Sequence, residues 1–209
     1  MDEPRPDKSL RPALEALAAA DPDIAAAFEV CGLPPRRHRP QGYAGLIHII
    51  AAQQVSAAAA RAIIGRLDAA ADPLTPETFL ALSEEALKGV GLSRSKIGYA
   101  RGLAENVLSG ALDLDGLDKM DDEAAVRHLC AAKGIGRWSA EIYLLFALKR
   151  PDVWPAGDLA IRHAVKRLKR MRKMPDEERV RKTANKWRPY RSAAARFLWH
   201  YYHHPGLVD

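Results

Sequence analysis

Cysteine is nearly missing from this chain. Cys31 and Cys130 are the only two, too few for a disulfide framework, a Cys₄ zinc site or a four-cysteine iron–sulfur cluster. Both are expected as small core residues. A reducing cytoplasm is the natural compartment, or the nucleoid within it if the source is bacterial. Long apolar runs are missing too: no window of about 18 uninterrupted apolar residues occurs. The acidic, proline-rich start, Met-Asp-Glu-Pro-Arg-Pro-Asp-Lys, has no apolar stretch behind it that would make a signal peptide. These absences predict a soluble, unprocessed protein with no membrane partner. Alternating Val/Ile/Thr/Tyr segments are hard to find and alanine-rich helical patterns dominate, so the fold class reads as all-α.

What is present is a chain of 209 residues and 23.0 kDa, the size of one domain or two small lobes with a core of their own. Lys and Arg total 32 against 26 Asp and Glu, a formal charge of +6, which permits a polyanionic partner without proving one. The excess is local. Residues 162–173 carry seven bases and no acid, whereas residues 1–35 carry seven acids and three bases.

Helix signals follow in order. Arg11–Val30 makes short helices broken near Asp21-Pro22. Leu46, Ile49, Ile50, Ala57, Ile63, Ile64 and Leu67 fit an amphipathic pattern that Gln53-Gln54-Val55-Ser56 interrupts, with Ser56 placed to cap a second helix. Thr75-Pro76 opens a helix that Gly89-Val-Gly91 closes, and Ser93 starts another towards Leu108. Asp121–Ala131, the turn Lys133–Gly136 and Arg137–Leu148 form a helical hairpin. Asp158–Met171 and Asp176–Tyr202 complete about nine or ten helices of ordinary length.

Two segments point to chemistry. In Gly134-Ile135-Gly136, glycines between two helices permit positive φ and leave backbone N–H groups approachable by a phosphate; a turn chosen for packing alone is the plainer explanation. Asp158, after Trp154-Pro-Ala-Gly157 and before a helical pattern, reads first as an N-cap. That role is compatible with a second one, because a carboxylate held ionised at a helix N-terminus can stabilise a cationic sugar or orient a water.

Four motifs in order carry a resemblance: Ile50-x-x-Gln53-Gln54-Val55-Ser56, Lys133-Gly-Ile-Gly-Arg-Trp138, Pro155-Ala-Gly-Asp158, and Trp187-Arg-Pro-Tyr-Arg-Ser192 with Leu198-Trp199-His200. Together, from about Gly42 to about His200, they resemble the helix-hairpin-helix (HhH-GPD) DNA glycosylases, and within them the 3-methyladenine DNA glycosylase II, AlkA-like branch. The resemblance implies one glycosylase domain over 1–209 in two helical lobes. One spans about 43–130; the other joins 1–42 to 131–209 and carries the hairpin 133–137 and Asp158. DNA would be gripped between the lobes.

Position by position, the resemblance makes Asp158 the catalytic aspartate and Gly134, Ile135 and Gly136 the hairpin that grips the DNA backbone. The main-chain carbonyls of Cys130, Ala132 and Ile135 would share a sodium or potassium ion there. Gln54 would wedge into the gap left by the flipped nucleotide, with Gln53, Ser56, Arg137 and Arg162 as further DNA contacts. Trp138 and Trp199 are candidates for an aromatic base pocket that selects a cationic alkylated purine by stacking and cation–π attraction; Trp154 and Tyr43 are weaker ones, and a core role is at least as natural for each tryptophan. Trp138 falls where bifunctional relatives have their Schiff-base lysine, so a monofunctional enzyme is implied.

The departures are Lys133 in place of a proline before the hairpin glycine, Glu141 on the helix that the hairpin opens, and Ile142 where an aromatic would stack. His200, His203 and His204 read as a partly exposed helix end rather than a metal site. The expectation is therefore a monomeric glycosylase, needing no cofactor for catalysis, that binds double-stranded DNA and excises 3-methyladenine and related lesions. A DNA-binding module without catalysis and a bifunctional glycosylase–lyase for oxidised bases are the alternatives.

Overall fold

The computed structural model describes residues 5–204. In chain order the α-helices are α1 (Arg11–Ala20), α2 (Pro22–Cys31), α3 (Gly42–Ala52), α4 (Ala57–Ala70), α5 (Pro76–Ala81), α6 (Glu84–Gly89), α7 (Arg94–Leu108), α8 (Asp122–Cys130), α9 (Arg137–Phe146), α10 (Leu159–Leu168), α11 (Glu177–Thr183) and α12 (Arg191–Tyr202). Among the described residues there is no strand, only a single bridge between Pro6 and Pro35. The all-α reading holds.

The chain forms two compact units. One is Arg39–Leu148; the other joins the residues up to His38 with those from Lys149 on. This corrects the expected lobe boundary, because the hairpin at 133–137 belongs to the central unit and not to the unit that carries Asp158. The reason is long-range pairing that no local pattern announces: the Gln53 side-chain amide donates to the Gly134 carbonyl at 3.0 Å, and the Tyr143 hydroxyl accepts from the Gly42 amide at 2.8 Å.

The central unit is built around α3. Seven of its residues, Tyr43, Gly45, Leu46, Ile47, Ile49, Ile50 and Ala51, are buried, and a helix apolar on nearly every side must be enclosed by others. It packs against α4, α7 and α9. Ser56 caps α4 by accepting from the Ala59 amide, Ser93 caps α7 and Asp121 caps α8, so three expected starts are where Ser and Asp placed them. The expected helix from Thr75 to Gly89 is instead two. Leu82 is extended, and Ser83 caps α6 through the Ala86 amide at 3.1 Å.

The second unit packs α1, α2 and α10 against α12. Phe28 meets Phe197 edge-on at 5.9 Å, and Leu14, Leu17, Ile24, Ile161, Ala164 and Leu198 fill the interior. The pattern over Asp176–Tyr202 is also broken, into α11, a 3-10 helix at Ala184–Trp187 and α12. Pro189 is the cause: it has no N–H to donate and biases Arg188 away from the helical region. These breaks, not extra chain, raise the helix number above ten. Cys31 is buried and Cys130 half-buried.

Candidate active site

In the second unit the chain reaches Asp158 through an irregular segment, 151–157, that α12 holds in place. Arg191 donates to both carboxylate oxygens of Asp152 at 2.8 and 2.9 Å and to the Asp152 carbonyl at 2.7 Å, a fork geometry suited to arginine. Arg188 adds a bond to the same carboxylate at 2.8 Å. The Ser192 hydroxyl accepts from the Val153 amide and donates to the Val153 carbonyl, at 3.0 and 3.2 Å. The Trp-Arg-Pro-Tyr-Arg-Ser motif is thus the clamp on the loop that delivers the aspartate.

Asp158 caps α10, its Oδ1 accepting from the Ile161 amide at 2.9 Å. The same oxygen accepts from the Trp199 indole N–H at 3.0 Å. Two donors on one oxygen fix the orientation of the carboxylate at the N-terminus of α10. Trp199 is 8% exposed; its described role is to hold Asp158, which differs from a ring offered only for stacking. Trp154 is corrected: it is buried and packs edge-on against the fully buried Trp187 at 5.3 Å, a core pair with no face left for a base. Arg162 is half-buried and donates from Nε to the Pro175 carbonyl at 2.9 Å, so part of its donor set anchors the chain after α10. Leu159 was not anticipated. It follows Asp158 with 61% of its surface in water, and an exposed leucine at the first position of a helix is a signal that a pattern search for cores passes over.

In the central unit the hairpin joins α8 to α9. Gly134 has φ +93°, and a Cβ there would lie 2.6–2.7 Å from the Tyr99 ring. Gly136, the N-cap of α9, has φ −89° and open space around its missing Cβ. Gly134→Ala is therefore expected to lower stability by about 2 kcal/mol through strain and the Tyr99 clash, whereas Gly136→Ala leaves it within about 0.5 kcal/mol. Denaturant titration of the two variants checks the contrast, and equal losses would contradict it. Ile135 is buried between them, and Lys133 is exposed.

Gln53 donates to Gly134 and to the Ser139 hydroxyl, at 3.0 and 3.2 Å. It thereby positions the hairpin, with its NH₂ group committed to protein acceptors. Lys96, not anticipated, donates to the carbonyls of Ala51 and Gln53 at 2.9 and 2.8 Å. It satisfies the carbonyl end of α3 just before the bend, and burial pushes its ammonium below the ordinary lysine range. Gln54 is exposed with φ +53°, a left-handed conformation uncommon for a side chain of this size. Such an outlier, fixed by Lys96 and Gln53 on one side and the Ser56 cap on the other, presents the side chain outward. Ser56 is a cap by geometry.

Arg137 departs from a free phosphate contact. Its guanidinium pairs with Glu123 and, at 3.0 Å, with the buried carboxylate of Glu141, and these acids hold it above the ordinary arginine range. Glu141 is accordingly a structural counter-ion. Trp138 keeps 43% of its surface exposed, while Ile142 one turn on is buried. Tyr43 is corrected to a core residue: its hydroxyl donates to the Ala100 carbonyl at 3.0 Å and its ring packs on Phe79. The Ala132 carbonyl accepts the Ile135 amide at 3.1 Å and keeps a second lone pair. Among the described residues no group of three His, Cys, Asp or Glu is placed to hold a metal, and His200 bonds the Cys31 carbonyl at 2.8 Å.

A family model described as "HhH-GPD superfamily base excision DNA repair protein" matches residues 47–189, a span that includes the α3–α4 bend, the hairpin, Asp158 and the clamp up to Pro189. The chain belongs to the HhH-GPD superfamily. This superfamily member is 34% identical to DNA-3-methyladenine glycosylase 1 of Schizosaccharomyces pombe, over 77% of this chain and 72% of that one. Its fold is similar to that of the S. pombe 3-methyladenine DNA glycosylase Mag1 solved with abasic DNA, with a TM-score of 0.81 at 31% identity, covering 90% of this chain and 94% of the other. A Bacillus halodurans DNA-3-methyladenine glycosidase gives the same TM-score, 0.81, at 31% identity, covering 92% and 90%. Among the described residues no helix is long and apolar enough to cross a membrane.

Proposed function

We propose that the chain is a monomeric, monofunctional DNA glycosylase that excises 3-methyladenine and related alkylated bases from double-stranded DNA by hydrolysing the N-glycosidic bond. The observation that carries the reading is the Asp158 carboxylate, fixed through Oδ1 by the Ile161 amide and the Trp199 indole at 2.9 and 3.0 Å. A stacked nucleotide hides its glycosidic bond, so the base must leave the duplex first, and damaged bases do so at lower cost. Gln54 is presented to fill the gap. As the bond to the cationic base breaks, positive charge develops on the sugar, and a pre-oriented carboxylate stabilises it without reorganising and favours attack by water. Trp138, where the resemblance puts the Schiff-base lysine of bifunctional relatives, offers no amine, which supports the monofunctional reading. A sodium or potassium ion on the Cys130, Ala132 and Ile135 carbonyls would add positive charge beside the hairpin amides that meet a phosphate; the chemistry itself needs no cofactor.

The test is base release from a panel of duplexes, each carrying one defined lesion, with borohydride trapping alongside. Free 3-methyladenine without a trapped adduct is expected. A covalent adduct supports the lyase alternative, and binding with no base released supports a non-catalytic module. Trp199→Phe keeps an aromatic ring, smaller by the fused pyrrole, and removes the donor to Asp158. It is expected to slow single-turnover base release about tenfold at a stability cost of about 1–2 kcal/mol; an unchanged rate would leave Trp199 a packing residue.

A further inference from the structure

The C-terminal end of α10 carries charge that neither the clamp nor the aspartate uses. From Asp158, the helix rises about 8 Å to His163, about 12 Å to Lys166 and about 15 Å to its last residue, Leu168, at 1.5 Å per residue, so the cavity opens along the helix away from Asp158. There a cavity of about 290 Å³ is lined by His163, Lys166, Arg167, Arg170, Met171 and Tyr202, with no carboxylate among its lining residues. The His163 and Tyr202 rings lie 5.7 Å apart, and the Arg167 guanidinium sits over the Tyr201 ring at 5.9 Å.

Part of the nearby charge is accounted for. Lys169 is bonded to Asp21 and Asp23 at 2.6 and 2.7 Å, and Lys182 to Glu178 at 2.6 Å. Of those acids, Asp23 lines the neighbouring groove. Arg170 reaches Asp23 only at 3.9 Å, with its side chain 85% exposed.

A second, independent feature marks the same spot. Arg170 has φ +48° and closes α10 with its amide on the Arg167 carbonyl at 3.1 Å, while the Met171 amide bonds the Lys166 carbonyl at 2.9 Å. This is the turn at which helices commonly place glycine, because a side chain in the left-handed region is strained. Stability would favour glycine here; the chain keeps an arginine at the mouth of a cationic cavity. Backbone strain of this kind points towards function when it coincides with a chemical feature.

We infer that this cavity is a second phosphate-binding site, which takes a phosphodiester group of DNA away from the nucleotide held at Asp158. Lys166 and Arg170 supply charge, Tyr202 and His163 form an aromatic wall, and the Arg167 guanidinium, packed over Tyr201 with Nη1 buried, backs the cavity. The inference takes its DNA partner from the proposed function. What it adds is retention on DNA irrespective of damage, through residues other than those of the hairpin and Asp158.

The experiment uses the full chain with Asp158→Asn in every sample, so that binding is read without base release, and an undamaged 30-bp duplex as the probe. Each lost phosphate contact lowers the slope of log K against log salt by about 0.9. Lys166→Ala with Arg170→Gly removes the charge that neutralises that one phosphate, so it is expected to reduce the slope by about 0.9 and to weaken binding about tenfold near 0.1 M salt. Arg170→Gly alone relieves strain, so it should bind less tightly while its Tm stays level or rises by about 2 °C; a purely structural arginine would not give that opposite pair of signs. Equal slopes and affinities for parent and variants overturn the inference. Titration with inorganic phosphate separates the sources. Saturation of the cavity by free phosphate with no change in the DNA slope makes it a small-anion site and also overturns the DNA assignment. A failure of the glycosylase reading shows itself elsewhere, as absent base release from lesion duplexes with the DNA slope difference intact.

Discussion

Asp158→Asn should lose base release from a 3-methyladenine duplex by about 10²- to 10³-fold, the scale seen when one pre-organised electrostatic partner of a transition state is removed. The variant isolates charge from architecture. Asparagine is as good an N-cap as aspartate, and its amide oxygen can accept from both the Ile161 amide and the Trp199 indole that now bond Oδ1. Stability should therefore stay within about 0.5 kcal/mol. Asp158→Ala removes the same charge and the cap as well, at about 1 kcal/mol, and leaves the Trp199 indole without the bond at Asp158. Single-turnover base release and thermal denaturation on the two variants separate the roles: both should be slow, and only the alanine variant should be less stable. A full rate in Asp158→Asn would mean that Asp158 merely caps α10, and the non-catalytic module would then be the better account.

The helix starts were legible because capping is local. Ser56, Ser93 and Asp121 each announce a helix within three residues of themselves, and each accepts the amide three positions on. The Asp21-Pro22 break was equally local. Asp158 was legible twice, as a cap and as part of a motif. What escaped was long-range. No pattern around Gln53 reveals that its amide reaches Gly134, 81 residues away, and that link moved the hairpin into the other unit. The Trp199–Asp158 bond spans 41 residues and turned a stacking candidate into a positioning one. Tyr43 and Trp154 look like any aromatic near a motif until burial places them in cores. For Arg137 the local signal was there, since Glu141 lies one helical turn ahead on the same face; its second partner, Glu123, lies on α8, a helix packed against α9. Seen beside the hairpin alone, it reads as a free cation.

Asp21→Asn should be among the more destabilising conservative changes in the chain. Asp21 is fully buried, and its carboxylate accepts from Lys169 at 2.6 and 2.7 Å, from the Trp187 indole at 2.8 Å and from Lys186 at 3.0 Å, besides capping α2 through the Asp23 amide at 3.2 Å. Burial alone would raise its pKa. The hydrogen bonds from Lys169, Trp187 and Lys186, with the charge of Lys169, outweigh burial and hold it below the ordinary carboxylate value. Asparagine keeps size and cap but turns its NH₂ towards a site crowded with donors and leaves Lys169 with Asp23 alone. Removing one partner of a buried ion pair typically removes about 3 kcal/mol or more, which for a domain of this length is a fall in Tm of about 6–12 °C. The pH dependence fixes the sign. A folded-state pKa below the unfolded one means the carboxylate stabilises above the ordinary value of about 3.9 and ceases to do so as pH falls through the folded value. Burial lowers Lys169 and its bonds to Asp21 and Asp23 outweigh that, raising it, so its contribution is lost only as pH rises past the ordinary lysine range near 10.4. The parent and Asp21→Asn should thus differ fully in Tm at pH 7 and converge below about pH 4. A gap that stays constant from pH 7 to pH 3 would show that asparagine fails here by shape and not by charge.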